Sequence, residues 1–393
     1  MSKIFHLTGQ LCGAAEVLGF SPTEAWVVEG KLTYRNPALP PQPRGGGLDP
    51  VVNLDPVAAP DNLDPVEMTE LRGYIYPGLL DAHTHPGLTH TATPPSDEEI
   101  RQRLETHRSL GVTQIIDCGG HRNPNVARRE GDTKVVHCGR HIARPKRYIR
   151  NLATEIEPED LPRVALEQLA CSDGWIKLVG DWVDRSLGDQ ADLLPMWPRQ
   201  VLRETFDEVH RAGGRVTVHT FARETIDDLL YAGVDAIEHG AGMAPDQVIE
   251  VARRGIRVTP TVRQVSEFPW YAAQAGKYPI YARRMLAMAV RRGVFLERLW
   301  DSGVPLVMGS DSSVDLSEKN LAVELLYAVA AGMDSSLAMR AASWQGRRVA
   351  GFTTWEEGAG ADFVVYAGNP EIDITEVSRP VAVLVDGLLA PGE

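Results

Sequence analysis

The stretch Leu79-Leu80-Asp81-Ala82-His83-Thr84-His85 carries two imidazoles two residues apart. Residues at that spacing face the same side of a β-strand, so His83 and His85 can present two nitrogens to one point. Imidazole is the commonest protein ligand for zinc-like ions. Four further residues lie within or just after apolar strand-like runs: Lys177 in Trp175-Ile176-Lys177-Leu178-Val179, His219 in Val216-Thr217-Val218-His219-Thr220, His239 in Ile237-Glu238-His239-Gly240 and Asp311 in Val307-Met308-Gly309-Ser310-Asp311. Any one histidine could be a satisfied core residue, and Asp311 could cap the turn that follows it. The joint placement of all six is what argues for a metal centre.

Lys177 is the sharpest of these. A lysine inside an apolar strand is costly to bury charged. Burial favours a neutral amine, and a neutral amine can combine with CO2 to give a carbamate, which is carboxylate-like and able to bridge two metal ions. The competing uses of such a lysine are pairing with a buried acid or extending its amine to solvent.

The elements needed to hold these residues are legible as a repeating pattern. Strand-like runs occur at Leu79-Leu80, Thr113–Ile116, Val135-Val136, Trp175–Val179, Arg215–Val218, Ala236-Ile237, Arg257–Thr259 and Leu306–Met308. Segments between them show helical periodicity, as at Gln200–Arg211 and Glu224–Tyr231, and glycines precede several strands as helix stops. Eight strands alternating with helices predict an α/β chain built on a (β/α)8 TIM barrel, with the active site at the C-terminal strand ends. The expected barrel spans residues 76–351 and ends in a helical pair over Asn320–Ala350. Residues 1–75 and 352–393 are expected to form a small β-sandwich domain. Its features include a hairpin turn at Glu29-Gly30-Lys31, strands at Ala361–Tyr366 and Val381–Val385, and a turn at Asp386-Gly387. A Pro-rich stretch over residues 36–67, with Leu-Asp-Pro-Val at Leu48, Leu54 and Leu63, reads as a surface insertion.

Composition narrows the partners. A length of 393 residues suits one large and one smaller domain, and 43% hydrophobic content supplies a core. A net charge of −13 argues against nucleic acid or an anionic membrane. No apolar run is long enough for a membrane span, and the N-terminus lacks a signal-peptide pattern. The four cysteines are scattered without a Cys-x-x-Cys, as expected of reduced thiols in the cytoplasm.

These residues resemble the amidohydrolase superfamily. Pro77–His85 is similar to its first-strand motif, Gly111-Val112-Thr113 and Asp117 to its second-strand region, and Ala232–Gly240 to its sixth. Gly358–Tyr366 with Gly368-Asn369-Pro370 resembles the closing segment of its small domain. The last two are most similar to the imidazolonepropionase-related branch that contains Xaa-Pro dipeptidases (prolidases). The resemblance covers roughly residues 70–390 and implies a binuclear site. His83, His85 and Asp311 would hold the more buried divalent ion, His219 and His239 the other, and CO2-carboxylated Lys177 would bridge them. Mixed nitrogen and oxygen ligands favour Zn2+. The Pro-rich stretch departs from the pattern, as does Gly180-Asp181-Trp182-Val183-Asp184, where dipeptidases would carry a small, Gly-rich run.

Two metals would lower the pKa of a bridging water, so that hydroxide attacks a C–N amide carbonyl, with Asp311 passing the proton to the leaving amine. The expected substrate is peptide-like or an N-acyl amino acid. A basic rim of His121, Arg122, Arg140, His141, Arg144 and Arg263 points to a carboxylate on this small molecule, with His141 the foremost contact and Tyr231 and Trp182 weaker ones. Homo-oligomerisation is compatible with the pattern. Alternatives are a mononuclear deaminase or cyclic-amide hydrolase acting on a heterocycle, a lactonase or phosphoesterase using the same centre, and a scaffold with a decayed site. The first has no use for a bridging lysine, and retention of all six ligands argues against the last.

Overall fold

The computed structural model describes residues 3–38, 68–89, 91 and 93–390. From residue 39 onward the Pro-rich insertion, with its three Leu-Asp-Pro-Val repeats, lies outside the described residues.

Parallel strands run Leu79–Thr84, Val112–Asp117, Lys134–His137, Trp175–Val179, Arg215–Thr220, Ala236–His239 and Arg257–Thr259. Ladders join the first three to one another and the last four to one another. The eighth segment, Leu306–Met308, is not a regular strand. It bridges Val258 through Leu306, and its extension bridges Thr84 through Ser312. Backbone bonds complete the join: Ala82 N–H to Met308 O (2.9 Å), Asp311 N–H to His83 O (2.7 Å) and His85 N–H to Ser312 O (2.8 Å). The third strand does not ladder with the fourth. The chain bends at Gly139, in the left-handed region (φ 74°), and the short strand Ile142–Ala143 pairs with Trp175–Val179 instead.

Gly309 sets the distance at the join. A Cβ there would sit 2.7 Å from His83 N and 2.8 Å from His83 Cβ, so only glycine lets the eighth segment lie against the first strand.

The helices follow the strands as periodicity requires. Arg199–Arg211 and Arg223–Ala232 bury their apolar faces, with Leu202, Phe206 and Val209 on one and Ile226, Leu229 and Leu230 on the other. The expected helical pair at 320–350 is three helices, Leu321–Ala330, Ser335–Ala342 and Trp344–Val349. The break falls at Ser343, whose backbone leaves the helical region and whose hydroxyl donates to Pro77 O (2.6 Å). Between the seventh and eighth strands the chain inserts three helices, Val262–Ser266, Phe268–Gln274 and Pro279–Asp301. These pack over the barrel mouth through Phe221, Val265, Phe268, Met285 and Met288.

The N- and C-terminal segments share one seven-stranded sheet, in the order 388–389, 380–385, 363–366, 68–77, 4–11, 24–28, 31–33. Lys31 bridges Gly360, bringing the far end of the sheet back to the C-terminal segment. Phe5, Leu7, Val27, Leu71, Phe363 and Leu384 meet Trp355 in one core. The expected hairpin closes through Glu29 and Gly30, both at positive φ. The strand Met68–Pro77 leads through Gly78 directly into the strand that carries His83. Among the described residues, no helix is long and apolar enough to cross a membrane.

Gly309→Ala is expected to destabilise the fold by about 1–3 kcal/mol, the usual cost of overpacking. Chemical denaturation of the metal-free protein checks this; unchanged stability would show that the eighth segment can yield.

Candidate metal centre

The ring brings all six expected ligands to one place. His83 Nε2 and His85 Nε2 lie 3.4 and 3.3 Å from Asp311 Oδ1. These three residues offer ligand atoms within 4.8 Å of one another. The His83 and His239 rings are 4.9 Å apart, and those of His219 and His239 4.7 Å. Lys177, only 1% exposed, lines the same cavity of about 230 Å³.

Hydrogen bonds aim these rings. Glu238 Oε2 accepts from His83 Nδ1 (2.8 Å), and Gly119 O accepts from His85 Nδ1 (2.8 Å). His239 Nδ1 lies 2.6 Å from Thr261 Oγ1. A proton on Nδ1 leaves the Nε2 lone pair of His83 and of His85 free to ligate, and such partners fix both tautomer and ring orientation. Glu238 is held in turn by the Thr217 hydroxyl, and Thr261 heads a turn whose Val262 and Arg263 N–H groups donate to buried Glu324. Burial pushes the Glu324 carboxyl up to about 8. Asp181 supports the neighbouring strand end, accepting from Thr220 and from the Phe221 and Ala222 N–H groups.

Glu238, Thr261, Glu324 and Asp181 were not among the expected site residues. A signal existed for Glu238: a carboxylate within an apolar strand is as costly to bury as Lys177 unless it is paired.

Electrostatics keep the imidazoles neutral. Burial, then the positive charge on Lys177, holds His83 at about 4 despite Glu238 and Asp311. Burial likewise depresses His219, His239 and His141 well below the usual imidazole value. Burial opposes ionisation of Asp311 and Glu238. It is overcome at Asp311 chiefly by Lys319, and at Glu238 by Lys177 and the hydrogen bond from His83, so both carboxyls sit well below their usual values. Neutral imidazole and ionised carboxylate are the states that bind metal.

The rim divides. His141 lines the cavity, stacks on His85 at 5.0 Å, and neither of its buried ring nitrogens has a partner. Trp182 lines it as well, 5.6 Å from the His219 ring. The others do not line this cavity: Arg140 and Arg144 border an adjoining hollow, and the polar groups of the rest are engaged elsewhere. Arg140 donates to Leu152 O and Asn151 O, and His121 Nε2 lies 2.7 Å from Asn151 O. Arg122 pairs with Asp97, and Arg263 with Glu267. Tyr231, 45% exposed on its helix, packs beneath Arg199. Lys319, Tyr148, Gln264 and Tyr271, absent from the sequence-based set, line the cavity instead.

The amidohydrolase family pattern matches residues 74–389. The chain belongs to the amidohydrolase family. An uncharacterized protein of Mycobacterium tuberculosis is 36% identical over 345 residues, spanning 86% of this chain and 90% of the relative. Among solved structures, a Xaa-Pro dipeptidase with methionine bound in its active site superposes at a TM-score of 0.76, with 17% identity and full coverage of both chains. A. niger ochratoxinase gives 0.74 at 17% identity, over 100% of this chain and 96% of that one. The architecture is therefore the α/β amidohydrolase fold, and the protein is a metal-dependent hydrolase of that family.

The residues of this amidohydrolase fit divalent metal. Lys177 Nζ and His219 Nε2 are buried without hydrogen-bond partners. An orphaned buried polar atom needs an explanation, and a bound ion is one. Here the two atoms face three imidazoles and a carboxylate already turned toward the same cavity.

Glu238→Gln should keep the fold and weaken metal affinity 10- to 100-fold, the usual effect of removing a partner that orients a ligating histidine. Metal titration by calorimetry reads this directly, and unaltered affinity would remove Glu238 from the site.

Proposed function

We propose that this amidohydrolase cleaves a C–N amide bond in a peptide-like or N-acyl amino-acid substrate bearing a carboxylate. The observation that carries the reading is the buried, unpartnered Lys177 amine set among His83, His219, His239 and Asp311 in one cavity.

His83, His85 and Asp311 would hold one ion, His219 and His239 a second, and Lys177, carboxylated by CO2, would join the two. Bound divalent ions of this kind, Zn2+ foremost, supply Lewis acidity to the carbonyl and make water a nucleophile near neutral pH. Asp311 is placed to manage the proton. It sits beside both paired imidazoles, with Lys319 Nζ 3.5 Å from its other oxygen. As a carboxylate it accepts the proton of the attacking water. It then delivers that proton to the amine nitrogen as the C–N bond breaks, leaving a carboxylic acid and an amine. His141, neutral and unpartnered, faces the cavity as a donor for a substrate oxygen. The cavity also opens toward a basic hollow bordered by Arg144, Lys146, Arg147, Arg150 and Arg185, which shares Tyr148, Ile149 and Trp182 with it. Arg144 and Arg147 pair with Glu157 and Asp184, whereas Lys146, Arg150 and Arg185 form no ion pair among the described residues. With Arg140, which also borders the hollow and bonds backbone carbonyls but no carboxylate among the described residues, these are the cations available to a substrate carboxylate.

The tight cluster His83, His85 and Asp311 could serve a single ion, which favours as second reading a mononuclear hydrolase or deaminase of heterocycles. Metal content per chain, measured without chelator, separates the two. Two equivalents support the bridged site; one equivalent that metal and bicarbonate cannot raise overturns it.

Asp311→Asn should retain the fold and lower kcat at least 100-fold, the scale of general acid–base catalysis; full turnover of an N-acyl amino acid would remove the proton role. Lys177→Ala should lose metal and activity together, with partial rescue of both by short carboxylic acids. Two bound metals in that variant without added acid would contradict the bridge.

A further inference from the structure

A second pocket opens beside the candidate metal centre. It holds about 450 Å³ and is bordered by Phe221, Phe268, Tyr271, Tyr278, Tyr281 and Met285, with Ala275 and Leu193 completing the wall. It shares Ile149, Trp182, Phe221, Gln264 and Tyr271 with the cavity that holds Lys177, so the two adjoin. Most of the wall belongs to the helices inserted between the seventh and eighth strands. The aromatic rings form a connected set: Phe221 lies 4.8 Å from the His239 ring and 4.9 Å from Phe268, and Phe268 lies 6.4 Å from Tyr271. Among the described residues, no acidic side chain borders the pocket and Arg185 is its one cation. A volume in this range and an apolar, aromatic wall suit a ring-sized hydrocarbon group.

We infer that this pocket receives a bulky, ring-bearing acyl group of the substrate, while the basic hollow on the other side of Trp182 takes the carboxylate of the amine portion. The inference rests on the amide-hydrolase reading and narrows it to aromatic N-acyl amino acids. Trp182 borders both hollows as well as the metal cavity, so the two ends of the substrate diverge around it. Binding energy from the remote ring then helps to hold the amide against the reacting groups.

The test uses the metal-loaded protein, two substrates that differ only in acyl group, N-acetyl- and N-benzoyl-alanine, and the neutral probe benzamide. Wild type should favour the benzoyl substrate at least 10-fold in kcat/KM. Ala275→Trp, which fills the pocket, should abolish that preference by raising KM for the benzoyl substrate, and should weaken benzamide binding by calorimetry at least 10-fold. Tyr281→Ala enlarges the wall at a half-buried position and should shift preference toward N-naphthoyl-alanine, a readout that does not depend on Ala275→Trp folding. Equal use of acetyl and benzoyl substrates by wild type, or benzamide affinity indifferent to Ala275→Trp with naphthoyl preference indifferent to Tyr281→Ala, would overturn the assignment. Pocket-dependent benzamide binding without hydrolysis of any amide would uphold the apolar site and instead sink the amide-hydrolase reading.

Discussion

The constraint on which the rest depends is the cost of gathering four imidazoles, an amine and a carboxylate where water is scarce. An unpaired buried polar atom costs about 1–3 kcal/mol, and more if charged. The protein meets most of this by giving the ring nitrogens that point away from the cavity a fixed partner: Glu238 for His83, Gly119 O for His85, Thr261 for His239. The same bonds that offset burial aim the remaining nitrogens inward. What is left without a partner, Lys177 Nζ, His219 Nε2 and the two nitrogens of His141, is collected in one cavity. Orientation and desolvation are thus one arrangement, and the unmet part of the desolvation cost is what a bound ion and a substrate oxygen would relieve.

The backbone carries a second cost at the same place. His239, Thr261 and Asp311 end the sixth, seventh and eighth strand segments, and all three have positive φ. For residues other than glycine this is worth on the order of 1–3 kcal/mol each. Left-handed turns at three successive strand ends swing His239 and Asp311 from the ladder into the barrel mouth. Packing opposes the relaxation of these turns. Glu324 grips the two N–H groups after Thr261, and Asp311 N–H is held by His83 O. The close fit of Gly309 on the first strand makes that last bond possible.

This division explains what could be read from the sequence. The candidate ligands were legible because five of them lie at strand ends and Lys177 within an apolar strand, and strand ends in a parallel barrel share a mouth whatever the helices do. The alternation of apolar runs and glycine stops was enough to find seven strands and the closing segment. The orienting residues act across strands through one hydrogen bond each, and a lone threonine such as Thr261 carries no periodic mark of that role. The basic rim divides for a related reason: His141 lines the cavity and Arg140 and Arg144 an adjoining hollow, while the rest turn elsewhere. Arg140 and His121 bond carbonyls of residues 151–152, and Arg122 pairs with an aspartate outside the cavity. Charge near a strand end predicts availability only when the loop has enough backbone satisfaction of its own, and this loop does not.

The helices between Thr259 and Leu306 were the largest unseen feature, because a 23-residue helix there continues the periodicity of the barrel's own outer ring. Its consequence is a separation of tasks. The candidate ligands sit in or just after segments locked into a ring, where a shift of one residue would turn every side chain to the opposite face. The apolar wall sits on inserted helices that meet the ring through Phe221, packed against Val265, Phe268, Met285 and Met288, and through Phe295, Leu296 and Leu299 of the long helix in the barrel core. Phe221 is the hinge between the two: it follows the strand that ends in His219 and Thr220, stands 4.6 Å from the His219 ring, and also closes the aromatic pocket. A change in the inserted helices can therefore reshape what the pocket admits without moving a ligand. A change at Phe221 cannot, since it alters the wall and the surroundings of His219 at once.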